Sequence, residues 1–153
     1  MSLEISAETS FALDLTNVAQ YGPELITNGE FADDSSWVIG ADWAFNTDHM
    51  EYDAGGTTAI TQSSIEMTSA MENSISYRLE FDISNGGGAA DIAFYTVNGS
   101  AIYVSRTTYA NGHHVIDFTS PAGTTAAGGG IGVYGHAGGG AFHLDNVSLK
   151  KQL

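Results

Sequence analysis

Alternation of apolar and polar residues at every second position is the feature that most constrains how this chain folds. The clearest case is the segment 77–83, where four apolar side chains alternate with three charged ones. Successive side chains of a β-strand point to opposite faces of the sheet. The segment is therefore predicted to be a strand with one face in a core and the other in water.

Turn-forming residues separate such alternations along the chain and leave almost no helical periodicity. Asn98-Gly99 lies between two apolar runs and predicts a hairpin that joins residues 92–97 to 102–104. In the last apolar segment the parity changes near Asn146, which predicts a bulge or twist there. We expect eight or nine strands in all, the others lying at 24–31, 37–45, 59–65, 113–119, 131–134 and 141–149. The predicted fold is an all-β, two-sheet antiparallel jelly-roll β-sandwich.

The charge balance excludes several classes of partner. The chain has 153 residues with 18 acidic against four basic side chains, a formal net charge of −14, and no cysteine. Nucleic acids and anionic membrane surfaces need clustered Lys and Arg, so neither is an expected partner. No run approaches the ~20 apolar residues of a membrane span, and residues 1–20 lack a signal-peptide pattern. We expect synthesis in the cytoplasm or release from a larger precursor.

The first 23 residues differ from the rest. Apolar side chains occur there mostly at two-residue spacing and are followed by the turn Tyr21-Gly-Pro23. We predict an extended N-terminal arm over residues 1–23 and a jelly-roll module over 24–153. The arm either adds a strand to the module's own sheet or pairs with a neighbouring subunit by β-augmentation. Its predicted anchoring residues are Leu3, Ile5, Phe11, Leu13 and Leu15.

Three motifs occur in order along the module. The first is Asn28-Gly-Glu-Phe31 followed by Trp37, the second is the aromatic-Arg-x-x-Phe-Asp pattern of residues 77–82, and the third is Phe142-His-Leu-Asp-Asn-Val147. Over residues 24–150 the chain resembles the jelly-roll β-sandwiches grouped with carbohydrate-binding modules and galactose-binding-like domains. The resemblance implies adjacent first and last strands and a binding or assembly module, not an enzyme.

A second resemblance concerns the setting of the module. The apolar leader before Tyr21-Gly-Pro-Glu-Leu25, and Tyr109-Ala-Asn-Gly-His113 before a strand, look like phage virion proteins. This implies a non-enzymatic structural protein of the virion, a capsid decoration or tail-associated protein. Its partners would be other virion proteins, further copies of itself and a cell-surface or environmental glycan. The alternative is a free-standing, extracellular carbohydrate-binding module of a polysaccharide-degrading system.

Sugar binding by such sandwiches depends on aromatic rings that stack on pyranose faces and on side chains that hydrogen-bond the hydroxyl groups. The alternative for aromatic residues on strands is a place in the core or in cross-strand pairs, which is the commoner role. Tyr109 is a further aromatic candidate, and the residues predicted for binding are Trp43, Tyr95, Tyr103, Arg106 and Tyr134.

Many relatives hold a structural calcium ion through a carboxylate just after the Phe of the first motif and the Asp of the last. Here Ala32 follows Phe31, so the first carboxylate is missing, although Glu30, Asp33 and Asp34 lie close by and Asp145 is retained. The residues predicted for calcium are Glu30 and Asp145, with backbone carbonyls and water as further ligands. The alternative is that Asp145 only hydrogen-bonds loop amides. The five histidines are interpreted as polar surface residues, since no cysteine completes a thiolate zinc site. No other cofactor is expected, and neither a nucleophile elbow nor a P-loop is present.

Overall fold

The computed structural model describes residues 20–87 and 89–153, which form eleven β-strands. Within this part of the chain, no helix is long and apolar enough to cross a membrane. The strands are β1 (Tyr21–Glu24), β2 (Val38–Ile39), β3 (Trp43–Asn46), β4 (His49–Tyr52), β5 (Thr58–Gln62), β6 (Ser76–Ser84), β7 (Ala90–Tyr95), β8 (Ile102–Tyr109), β9 (Gly112–Thr119), β10 (Ile131–Gly135) and β11 (Phe142–Gln152).

The strands form two antiparallel sheets that pack face to face. The six-stranded sheet has the order β3-β4-β11-β6-β9, with β1 also paired to β11, and the five-stranded sheet has the order β2-β5-β10-β7-β8. Aromatic rings join the two sheets in the core. Phe81 of β6 lies 5.1 Å from Phe94 of β7, and Tyr103 of β8 lies 5.6 Å from Phe118 of β9, measured between ring centroids. The predicted all-β, two-sheet jelly roll is confirmed.

Three predicted local features are present. Strand β6 alternates buried and part-exposed side chains along residues 76–83. Strands β7 and β8 pair across the Asn98-Gly99 turn, with Gly99 at φ +70°. Strand β11 contains a bulge between Asp145 and Ser148, and Asn146 has φ +51°. The bulge lets apolar side chains of opposite parity reach the same core.

The predicted strand over residues 37–45 is two strands in different sheets. β2 pairs with β5, whereas β3 pairs with β4. The chain changes sheets between them through Asp42, which has φ +65°. At Gly40 a Cβ atom would lie 2.3 Å from the carbonyl oxygen of Ala59, so the backbones approach too closely for a side chain. This split, together with the unpredicted β4, raises the strand number to eleven.

The first and last strands are adjacent, as the motifs at the two ends implied. β1 runs antiparallel to β11, with Tyr21 opposite Gln152 and Glu24 opposite Lys150. Residues 21–23, placed in the arm by the sequence, therefore belong to a strand of the module's own sheet. The opening strand predicted over 24–31 instead ends at Glu24, and residues 25–31 form no strand. The predicted anchoring residues lie outside the described part of the chain: Leu3, Ile5, Phe11, Leu13 and Leu15.

The Asn-Gly-x-Phe motif is where the opening segment meets the closing strand. The N–H of Val147 donates to the carbonyl oxygen of Gly29 at 2.9 Å. A Cβ atom at Gly29 would lie 1.9 Å from the carbonyl oxygen of Val147, which only glycine avoids. Trp37 donates its indole N–H to the Asn28 carbonyl at 3.1 Å. The motif thus has a packing role in this chain.

Candidate functional site

One row of residues crosses the whole outer face of the five-stranded sheet. From one edge of the sheet to the other, each residue of the row lies directly opposite the next. The order is Val38 of β2, Thr61 of β5, Gly132 of β10, Tyr95 of β7 and Ile102 of β8. Directly opposite residues of an antiparallel pair share one face. We call these five residues the cross-strand row. Each strand contributes one residue, and none of the five is charged.

Two tyrosines cover the centre of this row. The rings of Tyr95 and Tyr134 meet edge to face, with their centroids 4.8 Å apart and an interplanar angle of 62°. Gly132 has no side chain beneath the Tyr134 ring, since a Cβ atom there would lie 2.9 Å from Cε2 of that ring. Burial, with a contribution from Tyr95, raises the pKa of Tyr134, so its hydroxyl group stays protonated at neutral pH. The pair presents two part-exposed rings on the outer face.

The two edges of the row are apolar and open. Val38 is 69% exposed and Ile102 is 50% exposed, although both are large aliphatic residues. Most large apolar side chains of the described residues are in the core, so two such positions at the ends of one row are unusual. The row is therefore an apolar strip that is open to solvent at both ends.

An ion pair lies beside the tyrosines on the same face. Asp91 precedes Tyr95 by four positions on β7, and Nε of Arg106 donates to its Oδ1 at 2.8 Å. The hydrogen bonds from Arg106 hold the pKa of Asp91 below its ordinary value in spite of burial. The Arg106 side chain is 53% exposed. Only its Nε and Nη2 bond to described residues, so Nη1 is available as a donor to a ligand.

A glycine-rich turn packs against this ion pair. Cβ atoms at Gly138 and Gly139 would lie 2.7 Å from Nη2 of Arg106 and 2.7 Å from Cβ of Asp91, respectively. The preceding His136 donates its backbone N–H to the Asp91 carbonyl at 3.0 Å. Burial and the nearby Arg106 lower the pKa of His136, which is therefore neutral at pH 7. The turn therefore packs against Asp91 and Arg106 and adds no charged side chain to the outer face of the five-stranded sheet.

The structure corrects the prediction for two sugar-binding candidates. Trp43 and Tyr103 are each only 6% exposed. Trp43 packs on Phe142 in the core, with centroids 5.6 Å apart. Tyr103 donates its hydroxyl to the Gly130 carbonyl at 2.9 Å, and burial raises its pKa to about 12. Tyr109 is also buried, at 9% exposure. None of these rings offers a face to a ligand, whereas Tyr95, Tyr134 and Arg106 share one surface.

The two residues proposed for calcium have different surroundings. Glu30 is exposed and lines a shallow pocket with Asn146 and Ser148. Asp145 lies opposite Asp82 in the ladder and accepts the N–H of Asn146 at 2.6 Å. Burial and the neighbouring acidic groups raise the pKa of Asp145. This amide lies in the bulge of β11 and not in a loop, and calcium binding by Glu30 and Asp145 remains a prediction.

Sequence reasoning missed three contributors to the face. Asp91 shares the parity of Tyr95 on β7, a signal that could have revealed it. Val38 and Ile102 were not distinguishable from core residues because their exposure depends on sheet order.

No family model matches the chain. A search of curated proteins likewise found no relative.

Solved structures do share the fold. The second N-terminal cellulose-binding domain of Cellulomonas fimi β-1,4-glucanase C aligns with a TM-score of 0.57 and 18% identity, over 85% of this chain and 95% of that one. A family 16 carbohydrate-binding module aligns with a TM-score of 0.52 and 18% identity, over 82% and 98% of the two chains.

Two larger proteins contain a similar region. An arabinose-bound α-L-arabinofuranosidase aligns with a TM-score of 0.55 and 12% identity over 84% of this chain, which spans 26% of that protein's chain. The enzymatically active domain of bacteriophage CBA120 tailspike protein 4 aligns with a TM-score of 0.52 and 18% identity over 84% of this chain, which spans 21% of that chain. The described residues therefore have the two-sheet jelly-roll fold found in carbohydrate-binding modules.

Proposed function

We propose that this protein is a non-enzymatic module that binds a glycan chain across the outer face of its five-stranded sheet. Tyr95 and Tyr134 stack on pyranose rings, and Arg106 donates hydrogen bonds to sugar hydroxyls. The observation that carries the proposal is the cross-strand row with its two part-exposed tyrosine rings. The fold shared with carbohydrate-binding modules supports it.

The shape of the row favours binding along the interior of a polysaccharide. Five strands spaced by ~4.8 Å give a strip about 19 Å wide, enough for several sugar units. Both ends of the strip are open, because Val38 and Ile102 are exposed and form no wall. A sugar ring has an apolar face and a rim of hydroxyls, which matches tyrosine rings beside a fixed guanidinium group. The uncharged row favours a neutral glycan.

Affinity gel electrophoresis of the full chain tests this proposal. Gels containing soluble β-1,4-glucan, xylan or β-1,4-galactan sample the polysaccharide classes named for structurally similar modules. At least one polysaccharide is expected to retard the wild-type protein, and Tyr95→Ala or Tyr134→Ala is expected to abolish the retardation. Unchanged migration of the wild-type protein in all three gels would count against the proposed neutral glycan.

The chain offers a matched control for the apolar row. Ile102 is 50% exposed on the five-stranded sheet, and Val115 is 49% exposed on the six-stranded sheet. Replacing either by Ser removes a similar amount of exposed apolar surface. Ile102→Ser is expected to weaken retardation, while Val115→Ser leaves it unchanged. Equal effects of the two substitutions would contradict the assignment of the binding face.

For the setting of the module we propose display on a phage virion, with residues 1–23 contributing to anchorage. The fold occurs within a bacteriophage tailspike chain, and the N-terminal sequence resembles leaders of virion proteins. Weak sugar contacts repeated over many copies would gain avidity. The alternative is a free-standing, extracellular carbohydrate-binding module, which the similar isolated modules favour.

Light scattering of the full chain separates these two settings. If the arm anchors the protein, the double variant Leu13→Ser/Leu15→Ser is expected to self-associate less in light scattering. In a separate assay, it is expected to co-purify less with phage particles. Leu153→Ser is the control, because Leu153 is 77% exposed at the opposite end of the chain. A monomer that binds no particle, with its N-terminus intact, would support the free-standing alternative.

A further inference from the structure

The outer face of the six-stranded sheet holds a compact group of two histidines and a glutamate. His49 and Glu51 are two positions apart on β4 and so share one face, and His143 of β11 lies directly opposite Glu51. Oε1 of Glu51 is 3.3 Å from Nε2 of His49 and 3.3 Å from Nε2 of His143. The imidazole rings stack with centroids 4.1 Å apart. Three donor atoms of metal-ligating type therefore converge.

Their spacing fits one small cation. The three donor atoms all lie within 4.8 Å of one another. Donors bound tetrahedrally at ~2.0–2.2 Å from a zinc ion are about 3.3–3.6 Å apart, which is the distance from Glu51 to each histidine. Two imidazoles with one carboxylate suit zinc and similar transition metals better than calcium, which prefers oxygen ligands. Neither the predicted calcium pair nor the glycan face includes these residues.

The surrounding side chains orient the donors as in metal sites. Asp48 Oδ1 contacts Nδ1 of His49 at 2.9 Å, which directs the Nε2 lone pair of that ring toward Glu51 and His143. Asn46 donates to Glu51 Oε1 at 2.8 Å and fixes the carboxylate. Asn85 Nδ2 contacts Nε2 of His143 at 3.0 Å, and this amide would have to turn away when an ion binds.

The site has an open side. Glu51 and His143 line a surface depression together with Asn85 and Asp53. Three protein ligands leave a tetrahedral ion one free position, which water or an external ligand fills. The net charge of −14 adds a general attraction for cations.

We propose that His49, Glu51 and His143 bind one divalent transition-metal ion, with Zn²⁺ as the ion that their donors suit, on the face opposite the cross-strand row. Asp48 acts as a positioning residue through His49. The site is independent of the glycan proposal, and either can fail without the other.

Calorimetric titration of the metal-free full chain with ZnCl₂ at pH 7.5 tests the site. We expect one ion per chain, with affinity lowered at least about tenfold by His49→Gln or His143→Gln. His113→Gln is the matched control: His113 lies on the same sheet face and contacts two carboxylates, Asp82 and Glu80, but is outside the site. Its variant should bind zinc like the wild type.

Absence of zinc binding by the wild-type chain would overturn the proposal. So would equal weakening by His113→Gln and His143→Gln, which would assign binding to the acidic surface in general. A second readout needs no variant: Co²⁺ bound to the wild-type chain should show the visible absorption of a tetrahedral site. An octahedral spectrum alone would contradict the three-ligand geometry.

The Asn85→Ala variant should bind zinc at least as well as the wild-type protein, because it lacks the amide that contacts Nε2 of His143.

Discussion

Oε1 of Glu24 accepts the backbone N–H of Leu149 at 2.7 Å, so one carboxylate links the opening strand to the closing strand. The same oxygen accepts the N–H groups of Leu25 at 3.0 Å and Ile26 at 2.9 Å, while Oε2 accepts the Ser148 hydroxyl. Glu24 thus satisfies backbone donors where the chain leaves β1.

Glu24→Ala is expected to lower the free energy of unfolding by about 2–4 kcal/mol, because several backbone N–H groups lose a charged acceptor. Urea denaturation measures the change. Glu30→Ala removes an exposed glutamate from the same segment and should stay within about 0.5 kcal/mol of wild type. Similar values for both variants would show that Glu24 does not hold the two strands together.

Gln62→Leu tests a second link between the opening segment and a sheet. Gln62 is fully buried and exchanges two hydrogen bonds with the backbone of Thr27, at 3.0 and 2.7 Å. Leucine leaves both backbone groups without a partner, so we expect a loss of about 1–3 kcal/mol in thermal or urea unfolding. Thr61→Val, on the outer side of the same strand, is the control and should change stability by no more than about 0.5 kcal/mol. A neutral Gln62→Leu would contradict this role.

Gly132→Ala should displace the Tyr134 ring, because the added Cβ would lie 2.9 Å from Cε2 of that ring. The expected result is reduced retardation in polysaccharide gels by a protein that still unfolds cooperatively. Gly123→Ala is the control, since nothing lies within 4 Å of a Cβ at that position. Retention of full binding by Gly132→Ala would show that the ring position is not needed.

The ion pair beside the tyrosines predicts a dependence on pH. The folded-state pKa of Asp91 is below its ordinary value of 3.8, so its stabilising effect is present above that pH and is lost as pH falls through the lower value. Asp91→Asn should cost about 1 kcal/mol at pH 7, a figure reduced because Arg106 is half exposed. The cost should shrink as pH falls below 3.8 and through the folded-state pKa of Asp91. Asp34→Asn, at an exposed aspartate, is the control and should stay within about 0.5 kcal/mol of wild type in urea unfolding at pH 7.

His49 predicts the opposite sign in the metal-free protein. Burial disfavours its charged form, but hydrogen bonds to Asp48 and Glu51 outweigh this and raise its pKa above 6.5. The stabilisation is complete below pH 6.5 and is lost as pH rises through the higher folded-state value. With EDTA present, His49→Gln should therefore be more destabilising at pH 5.5 than at pH 8.5, by no more than about 1 kcal/mol. Equal costs at both pH values would contradict the pairing.

Local features of this fold could be predicted from the sequence because local residues determine them. Residues 77–83 carry a two-residue period, Asn98-Gly99 supplies a positive-φ turn, and the parity change at Asn146 requires a bulge. Which sheet a strand joins could not be predicted in this way. The change of sheet at Asp42 occurs next to the close approach of Gly40 to Ala59. This contact joins segments that are distant in sequence, so a local sequence pattern does not reveal it.

The candidate sites were only partly predictable for the same reason. Tyr95 and Tyr103 flank one turn, yet Tyr95 lies opposite Ile102 on the outer face, and Tyr103, the next residue after Ile102, therefore points into the core. The spacing of His49 and Glu51 does indicate a shared strand face. Their partner His143 is brought in by the pairing of β4 with β11, which becomes apparent only when the sheet order is known.

The cross-strand row also has a consequence for how such a surface can change. Its residues come from five separate strands, and no two are neighbours in sequence. Apart from Gly132, where a Cβ atom would meet the Tyr134 ring, each position can therefore change while the core residues on either side of it in the same strand keep the sheet in place. Specificity on this face can diversify one residue at a time, without insertions or rebuilt loops.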